Sequence, residues 1–403
     1  MNVGEINNTI QGYLNNQEIA GGALLVRRNG ELVYENTWGW ADIAAQRPIE
    51  EDAIYRMMSM TKPITAAAVM QQVEQGKIGL DDPVSRWLPA FRLLRVVSDK
   101  RYEWHEGMNM LSLLPKLLFF RADRVKTVPA DREITIRDLL SHSSGLQQGI
   151  AGLLVYKKDT AVKESLEAEC EKYGRLFLDF QPGTGTSYSP LAGFDVLGRI
   201  VELTSDEPLD AYMKAHIFDP LNMRDTAFHL TKEQESRLVH AYKRKKGRLT
   251  DVTGTKNDMD SMLHRGPGYV AASGGLFSTV LDYEHFARML LDGGTWNGNQ
   301  VLRPETVAQM STEGALTHLE TEPGYVWGLG VKIRQDPEKG GSPCTAGTYG
   351  WSGAFGTHFF VSPADKLEAV WCTNRTDLEG SGSYISKKIE DLVFRCFAGE
   401  AET

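Results

Sequence analysis

Met58-Ser59-Met60-Thr61-Lys62-Pro63-Ile64-Thr65 sets a serine three residues ahead of a lysine, where an apolar helical pattern begins. Residues at i and i+3 share one face of a helix, so the Lys62 amine comes within reach of Ser59 Oγ. The helix start adds positive potential and a free backbone N–H, both of which favour a developing alkoxide. Two readings fit these eight residues. In one, Ser59 is a nucleophile and Lys62 its base, which requires burial or a nearby cation to depress the lysine pKa. In the other, Ser59 caps the helix and Lys62 is a solvated first-turn residue, although a cation there mildly opposes the helix dipole. With 22 serines and 20 lysines in 403 residues, about one S-x-x-K is expected by chance. This one has no second copy in the chain, so its meaning depends on what surrounds it.

The whole chain sets broad bounds. At 403 residues and 41% apolar, it is long enough for two domains or one large composite with a sizeable core. A net charge of -9 argues against nucleic-acid binding, which relies on clustered Lys and Arg. The one basic run, Lys243-Arg244-Lys245-Lys246 before Gly247, reads as a solvated turn between two strands. The amino terminus has no basic start followed by an apolar core, so no secretory signal is read and a cytoplasmic location is expected. Cys170, Cys344, Cys372 and Cys396 lie far apart without metal-site spacing, so neither a metal nor a cofactor is expected. The most apolar stretch, Met108 to Phe120, is too short to span a bilayer. It reads as a core helix or helical hairpin, or as an apolar flap over a cleft or an oligomer contact; the oligomeric state stays open.

Along the chain, Gly22 to Asn29 and Glu31 to Glu35 are strand-like runs meeting at Asn29-Gly30, a strong hairpin signal. Ile64, Ala67, Ala68, Met70 and Val73 fall at helical spacing up to Gly76. Thr135 to Asp138 looks like a capping box, Ala161 to Gly174 has helical charge spacing, and Leu191, Phe194, Leu197, Ile200 and Val201 mark another helix. Strand character returns at Tyr325 to Ile333, Thr357 to Val361 and Leu367 to Thr373, and Glu390 to Phe397 ends the chain as a helix. The fold class is therefore α/β, of the α+β kind. One antiparallel sheet flanked by helices is built from the terminal parts, 1–90 and 265–403, with a mostly helical domain, 91–264, inserted and the active site between them.

Further segments carry a resemblance. Leu80-Asp81-Asp82-Pro83-Val84 follows the first helix, Ile136-Arg137-Asp138-Leu139-Leu140-Ser141-His142-Ser143-Ser144-Gly145-Leu146 comes next, then Pro182-Gly183 with Tyr188-Ser189-Pro190, and then Phe218-Asp219-Pro220-Leu221-Asn222-Met223. In this order, and with Ser59-Met60-Thr61-Lys62, the chain resembles the serine β-lactamase and penicillin-binding-protein superfamily, and within it the class C β-lactamase-like family VIII carboxylesterases. The resemblance spans roughly residues 20 to 375 and rests on collinear order more than on any one motif. It implies a β-lactamase/transpeptidase-like fold and makes Tyr188 the second base or proton shuttle beside Ser59 and Lys62. A phenol near cations drops from its ordinary pKa of about 10 and can take a serine proton.

The departures from the family pattern point to the substrate. Pro190 stands where a β-lactamase has the Asn of Y-x-N, and Trp351-Ser352-Gly353-Ala354 stands where lactamases and peptidases carry K-T-G. No cation remains at that place to grip a substrate carboxylate. A W-x-G resembles the esterase branch, whose edge strand lines the site. By that resemblance the backbone N–H groups of Ser59 and Ala354 form an oxyanion hole, Trp351, Ser352 and Gly353 line the substrate, and Gly353 lets the strand come close. A neutral ester loses little by these changes, whereas a penicillin or D-Ala-D-Ala peptide loses charge-assisted contacts. A small-molecule ester, hydrolysed through an acyl-enzyme, is the expected substrate. Acyl transfer to an alcohol, β-lactamase or D-amino-acid peptidase activity, and a silent binding scaffold are the alternatives. Ala271-Ala272-Ser273-Gly274-Gly275 mimics a nucleophile elbow without the Asp and His that should follow it. His142 reads as a hydrogen-bonded structural residue.

Overall fold

The computed structural model describes residues 3–102, 120–147, 149–158, 164–264, 266, 268–380 and 383–398. The apolar stretch Met108 to Phe120 lies outside the described residues apart from Phe120, which is buried with Val125, Ile150 and Leu154. Among the described residues no helix is long and apolar enough to cross a membrane.

Asn29 at φ 52 and Gly30 at φ 84 make the tight turn that the Asn-Gly pair predicts. They join β1 (Gly21–Arg28) to β2 (Glu31–Asp42), and β3 (Arg47–Pro48) pairs on the outer side of β2. The remaining strands of this sheet come from the other end of the chain: β4 (Tyr325–Trp327), β5 (Lys332–Arg334), β6 (Tyr349–Ser352), β7 (His358–Ser362) and β8 (Leu367–Thr373). They assemble in the order β4-β5-β6-β7-β8-β1-β2-β3, antiparallel throughout. The α/β fold of one antiparallel sheet built from both ends of the chain is thus observed.

Two strand expectations change. The run Tyr325 to Ile333 is a hairpin of two short strands, because the Gly328-Leu329-Gly330 turn interrupts it, with Gly330 at φ 84. The strand carrying Trp351 is not an edge strand, because β5 pairs on one side of it and β7 on the other.

Helices cover both faces of the sheet. Phe286 and Tyr283 of the helix Val280–Leu291 meet Phe359 of β7. On the opposite face Phe394 of the C-terminal helix Tyr384–Phe397 stacks on Phe360, the next residue of β7. That alternation is the period-two signature of a strand buried on both sides. The helix Thr61–Glu74 is buried almost all round, and the helix Ala192–Ser205 packs against it. Thr135 forms the expected capping box with Asp138, and the basic run becomes the hairpin Tyr242–Lys245 with Arg248–Asp251.

One buried charge in the sheet makes stability depend on pH. Glu368 of β8 is fully buried with Arg288 Nη1 3.5 Å away, and burial pushes its pKa up to about 8, with Arg288 opposing and Glu284 adding. The folded state therefore keeps a proton that the unfolded chain has released by about pH 5. The stability this proton contributes is present at low pH and is lost as pH rises toward 8. Glu368→Gln should give a melting temperature that falls less between about pH 5 and pH 8 than that of the parent protein, measured by calorimetry across that range.

Candidate active site

Ser59 sits in a one-turn 3₁₀ helix, Met58–Met60, that runs straight into Thr61–Glu74. Met58 holds a left-handed φ of 50, a conformation a non-glycine residue keeps only when its surroundings impose it. Ser59 is not a helix cap: the capping position belongs to Met60, and no side chain caps it. Lys62 is not solvated either, being 1% exposed.

A buried lysine needs partners, and this one has them. Nζ donates to Ser273 O at 2.7 Å and to Pro190 O at 2.8 Å, and lies 3.3 Å from Ser59 Oγ. What the Ala271-to-Gly275 loop gives this cluster is the Ser273 carbonyl, which helps hold Lys62. Pro190, which lacks the expected amide, also contributes its carbonyl. With two valences of Nζ directed at carbonyls, the third faces the serine. Tyr188 arrives from 129 positions away and its hydroxyl donates to Ser59 Oγ at 2.6 Å. Lys62 Nζ lies 5.1 Å from the Tyr188 ring centre. The three residues named from the sequence are therefore one hydrogen-bonded cluster.

Around this cluster stand two further groups, Asp195, which the sequence did not single out, and His142, which it read as a hydrogen-bonded structural residue. Asp195, fully buried in the helix Ala192–Ser205, accepts from the Ser273 backbone N–H at 2.9 Å and from the Tyr173 hydroxyl at 2.9 Å. Burial raises its pKa to about 6, against the lowering effects of Ser273, Tyr173 and the Lys62 charge. It fixes the loop whose carbonyl holds Lys62. The only hint in the sequence is an aspartate inside the apolar stripe Phe194-Asp195-Val196-Leu197. His142 is buried at φ 53, accepts from the Ser189 N–H at Nδ1, and packs 4.9 Å from the Tyr188 ring and 4.3 Å from Trp327. Burial, then the Lys62 charge, hold its pKa well below the ordinary imidazole range. It is a neutral wall behind Tyr188.

On the facing side, β6 comes close to the serine turn at Gly353. A Cβ there would lie 2.3 Å from Met57 O and 2.2 Å from Thr357 Oγ1, so only glycine lets the two segments meet. Ser59, Tyr188, Trp351, Ser352 and Ala354 all line one cleft of about 390 Å³. Trp351 packs 5.2 Å from Tyr188 and 4.6 Å from Trp327. The expectation that this wall has no cation needs correction: Lys332, on the neighbouring strand β5, also lines the cleft. Glu322 pairs with it at 2.8 Å, so the cation comes with its counter-charge. Sequence spacing gives no sign of either residue, because sheet pairing alone brings Lys332 beside Gly350.

A serine held by a phenol and a buried amine beside a close strand at Gly353 can be set against known proteins. The model of the family described as Beta-lactamase matches residues 6–393. The chain belongs to the beta-lactamase family. Relatives include Protein Rv1367c of Mycobacterium tuberculosis, 32% identical over 366 residues, covering 87% of this chain and 84% of that protein. Esterase EstB of Burkholderia gladioli is 29% identical over 406 residues, covering 94% and 92%. Among solved structures, EstCE1, described as a hydrolase with promiscuous acyltransferase activity, superposes with a TM-score of 0.75 at 26% identity, covering 97% of this chain and 98% of its own. The resemblance drawn from the motifs is thus shown at the level of family and fold, and the proteins it resembles include an esterase and a hydrolase with promiscuous acyltransferase activity.

Proposed function

We propose that this beta-lactamase-family protein is a serine carboxylesterase acting on small neutral esters through an acyl-enzyme. One observation carries it: Ser59 Oγ lies at once 2.6 Å from the Tyr188 hydroxyl and 3.3 Å from the Lys62 amine, in a cleft roomy enough for a small acyl or aryl group. The Lys62/Tyr188 pair takes the Ser59 proton as Oγ attacks the ester carbonyl. The tetrahedral oxyanion rests on the backbone N–H groups of Ser59 and Ala354, a pairing supported by the close approach at Gly353. Alcohol leaves with a proton returned through Tyr188, and water repeats the cycle to free Ser59. Trp351 and Trp327 give the acyl or aryl group an apolar wall. We place this cleft at the seam between the sheet part, 1–90 and 265–403, and the helical part, 91–264, because Ser59 and Trp351 come from the first and Tyr188 from the second.

A fluorophosphonate probe tests the assignment by forming a covalent bond to the activated serine. Peptide mapping should find the adduct on Ser59. An adduct on Ser273, or none, would overturn the mechanism.

A further inference from the structure

Ser352 lines the ester cleft, but its hydroxyl is engaged from behind. Ser352 Oγ lies 2.7 Å from His358 Nδ1, its cross-strand neighbour on β7. His358 Nε2 lies 2.9 Å from Glu390 Oε2, on the C-terminal helix. The other oxygen, Oε1, accepts from Arg334 Nη2 at 2.7 Å and from the Cys344 thiol at 2.8 Å. Ser352, His358, Arg334 and Glu390 also border a small cavity of about 40 Å³.

The direction of this chain follows from who can donate. Burial pushes the Glu390 carboxyl up, but donation from His358 and Cys344 and the Arg334 charge outweigh it and hold Glu390 ionised, with its pKa lowered. A carboxylate only accepts, so the proton between it and His358 sits on Nε2. In a neutral imidazole Nδ1 is then an acceptor, and the atom it accepts from is the Ser352 hydroxyl. A hydroxyl has one proton, and with His358 neutral that proton is turned away from the substrate.

We propose that Glu390, acting through His358, withholds the Ser352 proton from the cleft, so that Ser352 meets the substrate as an acceptor and the site disfavours esters bearing a carboxylate. This rests on the ester-hydrolase reading of the same cleft and narrows it to a substrate class. His358 and Glu390 are positioning residues: neither need touch the substrate. A serine free to turn its O–H into the cleft would donate to a substrate carboxylate. This one offers only lone pairs, which repel it.

Glu390→Gln reverses the chain without changing its shape. Arg334 and Cys344 both donate toward Oε1, so the amide oxygen must face them and the amide N–H₂ must face His358. Nε2 then accepts, Nδ1 carries the proton and donates to Ser352, and the serine O–H is released into the cleft. The assay compares kcat/KM for 4-acetoxybenzoate with that for its neutral methyl ester at about pH 8.5, above the ordinary imidazole range. Each ratio comes from one enzyme preparation, so a change in the fraction folded cancels. Glu390→Gln should raise the anionic-to-neutral ratio about tenfold, the worth of one charge-assisted hydrogen bond. The rise should vanish when Ser352→Ala is added. A ratio within about twofold of the parent protein would overturn the proposal. So would a rise that survives Ser352→Ala, since it would come from the lost negative charge alone. His358→Phe, which keeps the Glu390 charge but removes the acceptor, should raise the ratio similarly and serves if Glu390→Gln does not fold. Loss of methyl-ester turnover together with loss of Ser59 labelling would instead count against the esterase reading.

Discussion

Ser59→Ala is expected to abolish ester turnover, lowering kcat by about four to six orders of magnitude, the range seen when an activated serine is removed from its base. Among the described residues, Ser59 Oγ is the hydroxyl that both Tyr188 and Lys62 reach, so no neighbouring group can take over the attack. Folding should be unaffected. Ser59 caps no helix, and Lys62 keeps its two carbonyl partners when the serine oxygen is gone. Hydrolysis of a p-nitrophenyl ester beside a thermal melt checks both halves. A variant that melts like the parent yet retains more than about 1% of its rate would point to another nucleophile.

Tyr188→Phe should lower kcat by about two to four orders of magnitude while KM changes little. The reason is geometric. The ring contacts with His142, Trp327 and Trp351 do not involve the hydroxyl, so phenylalanine preserves the wall and removes only the hydroxyl 2.6 Å from Ser59 Oγ. A group that acts in the transition state shows its loss in kcat. Steady-state kinetics on the same ester decides the matter: a loss below about tenfold would transfer the base role to Lys62. Its third valence already faces Ser59, ready to accept as an amine or to donate as an ammonium.

These expectations come from a cluster that was partly legible before any fold was known. The Asn29-Gly30 turn, the Thr135 capping box and the helix after Lys62 are local events, set by side chains within a few residues of one another. Each was readable for that reason. The Tyr325 to Ile333 run misled because apolar β-branched residues fill both arms of a hairpin, and the break lies in a short glycine turn. The burial of Lys62 was not legible at all. It depends on the carbonyls of Pro190 and Ser273, and carbonyls are the same in every residue.

By itself, the sequence determined the nucleophile candidate, its lysine one helical turn on and the order of motifs that marks the family, because these rest on short spacings and on residue identity. The tertiary structure alone decided what those residues face. Sheet register brings Lys332 with its Glu322 to the cleft and sets His358 beside Ser352, and helix packing aims Glu390 at His358. The Ser352–His358 contact joins positions 6 apart and the His358–Glu390 contact positions 32 apart, each across separate elements. Nothing local encodes them, since they are fixed only when burial of the whole sheet selects one register out of many.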